Sequence, residues 1–425
     1  MTFDIRKLIP LLAFYTVFQG TFTPAAAQTG SLSPYSRYGI GDIYPSGFTR
    51  QFGMGGLGTA LSDPNYINVS NPASYIADSM VVFDFGGRGE IRKLERTGGS
   101  VNYSSASLSH FALAFPVIRG KASMALGLLP YSSVGYDISV EEENTTVGQT
   151  VRYLYEGEGG FNRFFVGTGF KVLPGLHAGV NASYLFGTID QIKSVEFPFG
   201  TNYFNSRYVN AVAINGFAFN AGLLYEKQLN NGLDFKAGVT SSLSSNVNAI
   251  NSKYYFNYTY SAFSGGNVVK DSVFNETETE GKIRLPSNYS GGVSLGKRGV
   301  WLAGADFSWS NWENYENFDS KDTLQNSYTI HVGGERTFEK FIFRLGARYG
   351  NSYLNIRNSQ LNDYGITFGI GVKKLFAKRP PSIINLGVEL GQRGTTENNL
   401  IKEQYIRFQI GFSLTDIWFI KPKYD

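Results

Sequence analysis

The chain has 425 residues, a formal charge of +4 and no cysteine, but 50 Gly, 34 Phe and 27 Tyr. Charged residues make up 17%, against about 25% in a soluble domain, so much of the surface is expected not to face water. The absence of cysteine excludes disulfides, thiolate metal sites, a cysteine nucleophile and a lipoprotein anchor, and the small charge gives no case for nucleic-acid binding.

The chain opens on Arg6 and Lys7, an apolar run Leu8–Phe18 and the triplet Ala25-Ala26-Ala27. This is the layout of a cleaved export signal over 1–27, with the mature chain starting near Gln28. The run is shorter than the roughly 20 residues a membrane helix needs, and no later stretch is long and apolar enough. If the mature chain crosses a membrane, it must do so as a closed barrel, because only helices and barrels satisfy every backbone group in lipid.

Residues 28–79 are rich in Gly, Pro and Ser and lack clean alternation. Tyr35, Tyr38, Tyr44, Phe48 and Phe52 supply apolar anchors that a disordered tail would lack. This segment is expected to fold into a barrel lumen as a plug.

From about residue 80 the pattern has period 2. Ile406, Phe408, Ile410, Phe412 and Leu414 oppose Arg407, Gln409, Gly411 and Ser413. Phe343, Leu345, Ala347 and Tyr349 oppose Arg344, Gly346, Arg348 and Gly350, and similar sets recur at 176–184 and 384–391. Such strands have one apolar and one polar face. Three features turn the apolar face toward lipid. The strands are long, the polar face carries full charges, and aromatics (Trp309, Trp312, Tyr315, Trp418, Phe419) gather near strand ends as at a membrane interface.

Short turns are expected near 119–120, 174–175, 230–232, 297–299, 339–340 and 379–381. Longer polar loops are expected near 95–103, 140–148, 199–207, 259–279, 315–325, 356–363 and 396–401. Gly159-Gly160 reads as a bulge within one strand. The reading is an all-β fold over 80–425, a transmembrane antiparallel barrel of about fourteen strands. In the third strand, Pro130 cannot donate to a ladder, and Gly127 and Gly135 flank it. It marks either a lateral opening or a plain bulge.

His110, His177 and His331 each stand alone, with no metal-ligand spacing. Ser109 and His110 are adjacent, which places them on opposite faces of a regular strand, so no catalytic triad is expected and the chain is not read as an enzyme. Gly53-Met54-Gly55-Gly56-Leu57-Gly58 matches G-x-G-x-x-G. Without a strand before it and a helix after it, this reads as backbone packing and not a dinucleotide site. No cofactor or metal is expected. The polar-face charges Asp306, Glu335, Arg344, Arg348, Glu389 and Arg407 serve either as interior ion pairs or, through their arginines, as a site for a ligand head group.

Several motifs carry a resemblance. Gly53 to Asp63, with Gly55 and Gly56 at its centre, followed by Asn71-Pro72-Ala73, resembles the N-terminal hatch of the FadL-type hydrophobic-compound channels. Ser33-Pro34-Tyr35-Ser36-Arg37-Tyr38-Gly39-Ile40-Gly41-Asp42 and the ending Phe412 to Phe419 resemble the Bacteroidetes branch of that superfamily. The resemblance implies a fourteen-stranded barrel with a hatch, in contact with outer-membrane lipid, and passive uptake of fatty acids or other hydrophobic small molecules. In such channels a kink in the third strand opens the wall to lipid. The alternative is a non-transporting barrel of this type that is a protein partner of secretion or assembly machinery, as in type IX secretion. The chain departs from the usual terminal aromatic, since it ends Lys421-Pro422-Lys423-Tyr424-Asp425.

Overall fold

Alternating side chains point to opposite faces of a strand, and the outer face here is apolar. In a computed structural model, which describes residues 33–417 apart from 78–79, 145–147, 199–202, 262–265, 319, 322–323 and 374–381, Phe343, Leu345 and Tyr349 stand exposed outside while Arg344 is buried inside. Leu386 and Leu390 face out, with Asn385 and Glu389 buried between them. Val180 and Tyr184 face out, with His177, Asn181 and Ser183 inside. An apolar band exposed all round a closed wall is what a bilayer covers.

The N-terminal segment holds a two-residue strand, β1 (Asp42–Ile43), and one helical turn, α1 (Thr49–Phe52). The wall starts with β2 (Val81–Arg96) and β3 (Gly99–Ile118). Its third position is split into β4 (Ala122–Ser133) and β5 (Tyr136–Asn144). Next come β6 (Gln149–Leu173), β7 (Leu176–Glu196) and β8 (Asn205–Gln228). β9 (Asp234–Ser242) and β10 (Ser245–Ser261) share the seventh position, and β11 (Gly266–Leu285) and β12 (Asn288–Lys297) the eighth. β13 (Trp301–Ser310) is followed by a short loop hairpin of β14 (Glu316–Asn317) and β15 (Ser320–Lys321). The wall ends with β16 (Ser327–Phe338), β17 (Phe341–Ile356), β18 (Ser359–Lys373), β19 (Ile383–Arg393) and β20 (Lys402–Asp416). β20 pairs with β2 from Val81–Asp416 to Glu95–Lys402 and closes a fourteen-stranded antiparallel barrel.

One rim has tight turns at 119–120, 174–175, 298–300 and 339–340. The expected turn at 379–381 and the export signal lie outside the described residues, as do Trp418 and Phe419. The opposite rim differs from expectation. Most of the stretches read as long loops are strand. Residues 95–103 form the β2–β3 hairpin around a turn at 97–98, and 259–279 falls largely within β10 and β11. These strands rise beyond the bilayer into water on both faces, so they have no apolar alternation to reveal them. β6 has 25 residues, β8 has 24 and β7 has 21, against roughly 9–11 needed to cross a membrane. β6 runs unbroken through Gly159 and Gly160, both at positive φ, where its partner changes from β5 to β4.

Two expected interface aromatics lie elsewhere. Trp312 and Tyr315 are buried inside the wall, and Trp312 stacks on Tyr353 with centroids 4.2 Å apart. They belong to an interior apolar cluster with Tyr35, Ile40 and Phe161. Periodicity cannot separate an aromatic facing lipid from one facing a filled lumen.

The outward face makes a simple prediction. Leu345→Arg puts a guanidinium in the apolar band and is expected to cost about 2–4 kcal/mol near the bilayer midplane. Urea titration of folding into lipid vesicles measures it; a cost near zero would mean the band is not in lipid.

Candidate functional site

Residues 33–77 touch inward groups of many wall strands. Their closest seats are made by glycine, which lets two backbones meet. Asn71, Pro72 and Ala73 rest on a floor of Gly169, Gly179 and Gly222, which pair in direct register across β6, β7 and β8. A Cβ at 169 would lie 2.7 Å from the Pro72 carbonyl oxygen. Asn71 Nδ2 donates to the carbonyls of Thr59 (2.7 Å) and Leu223 (3.1 Å), and its Oδ1 accepts from Ala73 N (3.1 Å). This amide ties three pieces of backbone together, two from the segment and one from the wall.

On the opposite wall, Gly55 (φ +71°) and Gly56 (φ +88°) press against β16 and β17. A Cβ on Gly55 would lie 2.7 Å from the Ala347 carbonyl oxygen, and Gly333 and Gly346 leave the matching space for Met54 and Gly55. Gly55 N donates to Thr367 Oγ1 (2.8 Å), and both Gly58 N and Thr59 N donate to Asp306 Oδ2 at 2.7 Å. His331 Nδ1 lies 2.6 Å from the Gly55 carbonyl oxygen. The glycine run is therefore seated against β13, β16, β17 and β18.

The interior charges form two layers. In the lower one, Arg50 of α1 reaches Glu335 (2.6 Å) and Asp63 (3.3 Å). Glu335 also holds Arg344 (3.0 Å), which donates to Asn385 Oδ1 and Tyr66 Oη at 2.9 Å. In the upper one, Arg348 pairs with Glu389 (2.5 Å) and Asp363 (3.0 Å). Arg407 pairs with Glu90 (2.6 Å) and Glu389 (3.4 Å). Arg393 joins Asp42 of the segment (2.7 Å) to Glu403 (2.8 Å), and Ser33 donates to Glu403. Arg344, Arg348, Glu389 and Arg407 are thus all engaged with protein groups.

The structure corrects one expectation about His110. Ser109 Oγ lies 2.8 Å from His110 Nδ1, and His110 Nε2 lies 2.7 Å from Asp84 Oδ1. Both residues face inward because the β2–β3 register slips between Gly86 and Gly87, leaving Ser109 as the extra residue of a bulge. Phe48 stacks flat on the imidazole at 3.8 Å, and the second carboxylate oxygen of Asp84 accepts from Ser413 Oγ (2.6 Å). The triplet is a buried hydrogen-bonded link under the segment, covered on its open side. His177 lies 4.0 Å from Glu226.

Pro130 sits where β4 leaves its neighbour. β3 pairs with β4 only as far as Phe111–Leu128, and the β4–β6 register shifts between Pro130 and Ser132. Past the proline, the place of β3 is taken by the segment. β1 pairs with Ser132 and Ser133, Tyr44 N donates to the Tyr131 carbonyl, and Ser33 N donates to the Gly135 carbonyl. Gly127 packs tightly on β3 and Phe165.

A cavity of about 440 Å³ lies between segment and wall. Hydroxyl and amide side chains dominate its lining, among them Ser70, Asn220, Thr240 and Ser308, with Arg163 projecting from β6. Arg163 donates weakly to Ser46 Oγ (3.3 Å) and its buried Nε has no hydrogen-bond partner; no ion pair engages it among the described residues. Sequence reading missed it, because an arginine between Asn162 and Phe164 differs in no way from the paired arginines of other strands.

Solved structures share this architecture at low identity. A Pseudomonas aeruginosa FadL homologue superposes with a TM-score of 0.58 at 12% identity, over 88% of this chain and 99% of that one. The Pseudomonas putida toluene transporter TodX gives 0.58 at 16%, over 89% and 100%. The Ralstonia pickettii toluene transporter TbuX gives 0.56 at 13%, over 89% and 99%. At such identity they establish the fold, that of FadL-type outer-membrane channels. No curated protein matches the sequence. The BamG family model matches residues 5–425, and the chain belongs to the BamG family.

Proposed function

We propose that this barrel is a closed, non-transporting member of the FadL-type fold that acts as a partner in protein assembly or secretion at the outer membrane. The observation that carries this is the sheet raised above the bilayer. β5, β6, β7, β8, β10 and β11 continue together past the apolar band, and residues 266–281 of β11 have a strand on one side only among the described residues. Strands exposed on both faces contribute nothing to a pore, but they give a broad surface for another protein. The interior supports the same reading, since residues 33–77 are tied to the wall by buried ion pairs and glycine seats. The BamG match hints at an assembly-related role as well.

A second reading, uptake of hydrophobic compounds such as fatty acids, draws on one specific observation. Arg163 offers an unpaired guanidinium in the cavity, suited to a carboxylate head group. The two readings separate in one experiment. The barrel is purified in mild detergent after crosslinking in cells, its proteins and lipids are identified by mass spectrometry, and uptake is then measured in proteoliposomes. A stoichiometric outer-membrane protein partner with no fatty-acid flux is the expected result. Enriched fatty acid, saturable flux and a tenfold loss of both in Arg163→Ala would overturn it in favour of the channel.

A further inference from the structure

In a closed wall, β3 and the third-position strand should pair along their whole length. Here the pairing stops at Phe111–Leu128. Above that level, Gly99–Leu108 of β3 pairs only with β2, and residues 136–143 of β5 pair only with β6, among the described residues. The lower end of the gap is filled by Ser33 and Ser36 against Gly135. Its upper part is a groove of about 320 Å³, bounded by Leu94, Tyr103, Tyr136 and Ile192 with the carboxylates of Asp137 and Glu156. The gap opens beside the apolar band, where Leu108 is 81% exposed, and rises along β5 to the exposed carboxylates of Glu141, Glu142 and Glu143.

We propose that this gap is a docking slot for one extended, basic strand of a partner protein, which adds main-chain hydrogen bonds to the open edge of β5. The inference rests on the partner role proposed above. An open strand edge presents a row of unpaired N–H and C=O groups, which a further strand satisfies at low entropic cost when the edge is already fixed. Charge selects the occupant. β5 carries Asp137, Glu141, Glu142 and Glu143 and no Lys or Arg. Asp137 stands in register with Glu156, and on the next pair of strands Glu158 stands in register with Asp190. These like charges sit side by side across a sheet, where they repel. Arg152 makes exposed contacts with Glu141 (3.4 Å) and Glu196 (3.9 Å), and such pairs contribute little. A strand bearing Lys or Arg relieves that repulsion, and the rings of Tyr103 and Tyr136 offer faces on which a guanidinium stacks.

The test uses photocrosslinking in intact cells of the full-length barrel. A benzoylphenylalanine is placed at Ser139 on β5, at Ser105 on β3 or, as a comparison, at Val273 on the far edge of the raised sheet. The expected result is one adduct from positions 139 and 105, mapped by mass spectrometry to a Lys/Arg-rich extended segment of a single protein, and none from 273. The triple variant Glu141→Lys, Glu142→Lys, Glu143→Lys should lower that adduct at least tenfold while keeping the heat-modifiable gel mobility of a folded barrel. If a partner co-purifies but its adducts arise only from position 273, or from an acidic or apolar segment, the slot is wrong and the partner role stands. If no protein is captured at any position and fatty acid is transported, the partner role itself fails. Adducts to lipid or to a second copy of the chain also overturn the slot.

Discussion

Gly346→Val is expected to drive the N-terminal segment out of the barrel. A side chain at this position runs into Gly55 N and the Met54 carbonyl, which lie directly on the glycine. The segment cannot retreat locally, because Gly55 holds a positive φ and is itself packed on the Ala347 backbone. The wall has no such difficulty. Its ladder between β16, β17 and β18 does not involve the added atoms, and valine suits a strand. The variant should therefore close as a barrel but leave its lumen open, with ionic conductance in planar bilayers at least tenfold above the parent. Arg50, buried in the parent at 4% exposure, should become a trypsin site. Gly291→Ala, where an added Cβ meets nothing within 4 Å, should be silent in both assays. A silent Gly346→Val with a protected Arg50 would show that the segment is not seated on this glycine.

The second large effect is expected from Glu335→Ala. Glu335 is shared by Arg50 of the segment and Arg344 of the wall, whose side chains are 5% and 0% exposed. Removing the carboxylate leaves Arg344 without an ion-pair partner and Arg50 with Asp63 alone, the two guanidiniums facing each other away from water. Breaking a buried pair in this way costs about 3–5 kcal/mol, because a charge is left uncompensated. Arg50→Leu combined with Glu335→Leu should lose less than Glu335→Ala alone, since the two guanidiniums then no longer face each other, Arg344 keeps Asn385 and Tyr66, and Asp63, freed of Arg50, is partly exposed to water. Both variants can be followed by urea titration at low and at high salt. The difference should persist in high salt, which screens surface pairs and not buried ones. Equal losses for the two would mean that the shared carboxylate is not the link between segment and wall.

The wall was legible from sequence wherever lipid faces it. Phe343, Leu345, Ile406, Phe408 and Ile410 were read as one face and stand exposed outside, and Arg344 and Glu389 were read as the other and lie buried within. Above the bilayer the same strands went unseen. Residues 266–280 of β11 are exposed on nearly every side, so no alternation marks them and the sequence there reads as a loop. Trp312 and Tyr315 were misplaced for a related reason. An aromatic at a strand end fits an interface and a filled lumen equally well, and only the packing on Tyr353 distinguishes them. Ser109 and His110 share a face through a bulge, and a one-residue bulge leaves no trace in an apolar–polar pattern.

What the sequence determined by itself was the class of solvent and the architecture it imposes. Period-2 alternation with glycine and full charges on one face, and no apolar helix, leaves a closed barrel in a membrane as the structure that satisfies its backbone. What only the tertiary structure decided is which inward groups meet. Gly169, Gly179 and Gly222 become a seat for Asn71-Pro72-Ala73, and Arg50 meets Glu335 across 285 residues of chain. Arg163 is left without a carboxylate among the described residues. The open edge of β5 likewise depends on where β4 turns away from β3. These are contacts between segments remote in sequence, fixed by strand register and by the room that glycine leaves, and a local pattern carries neither.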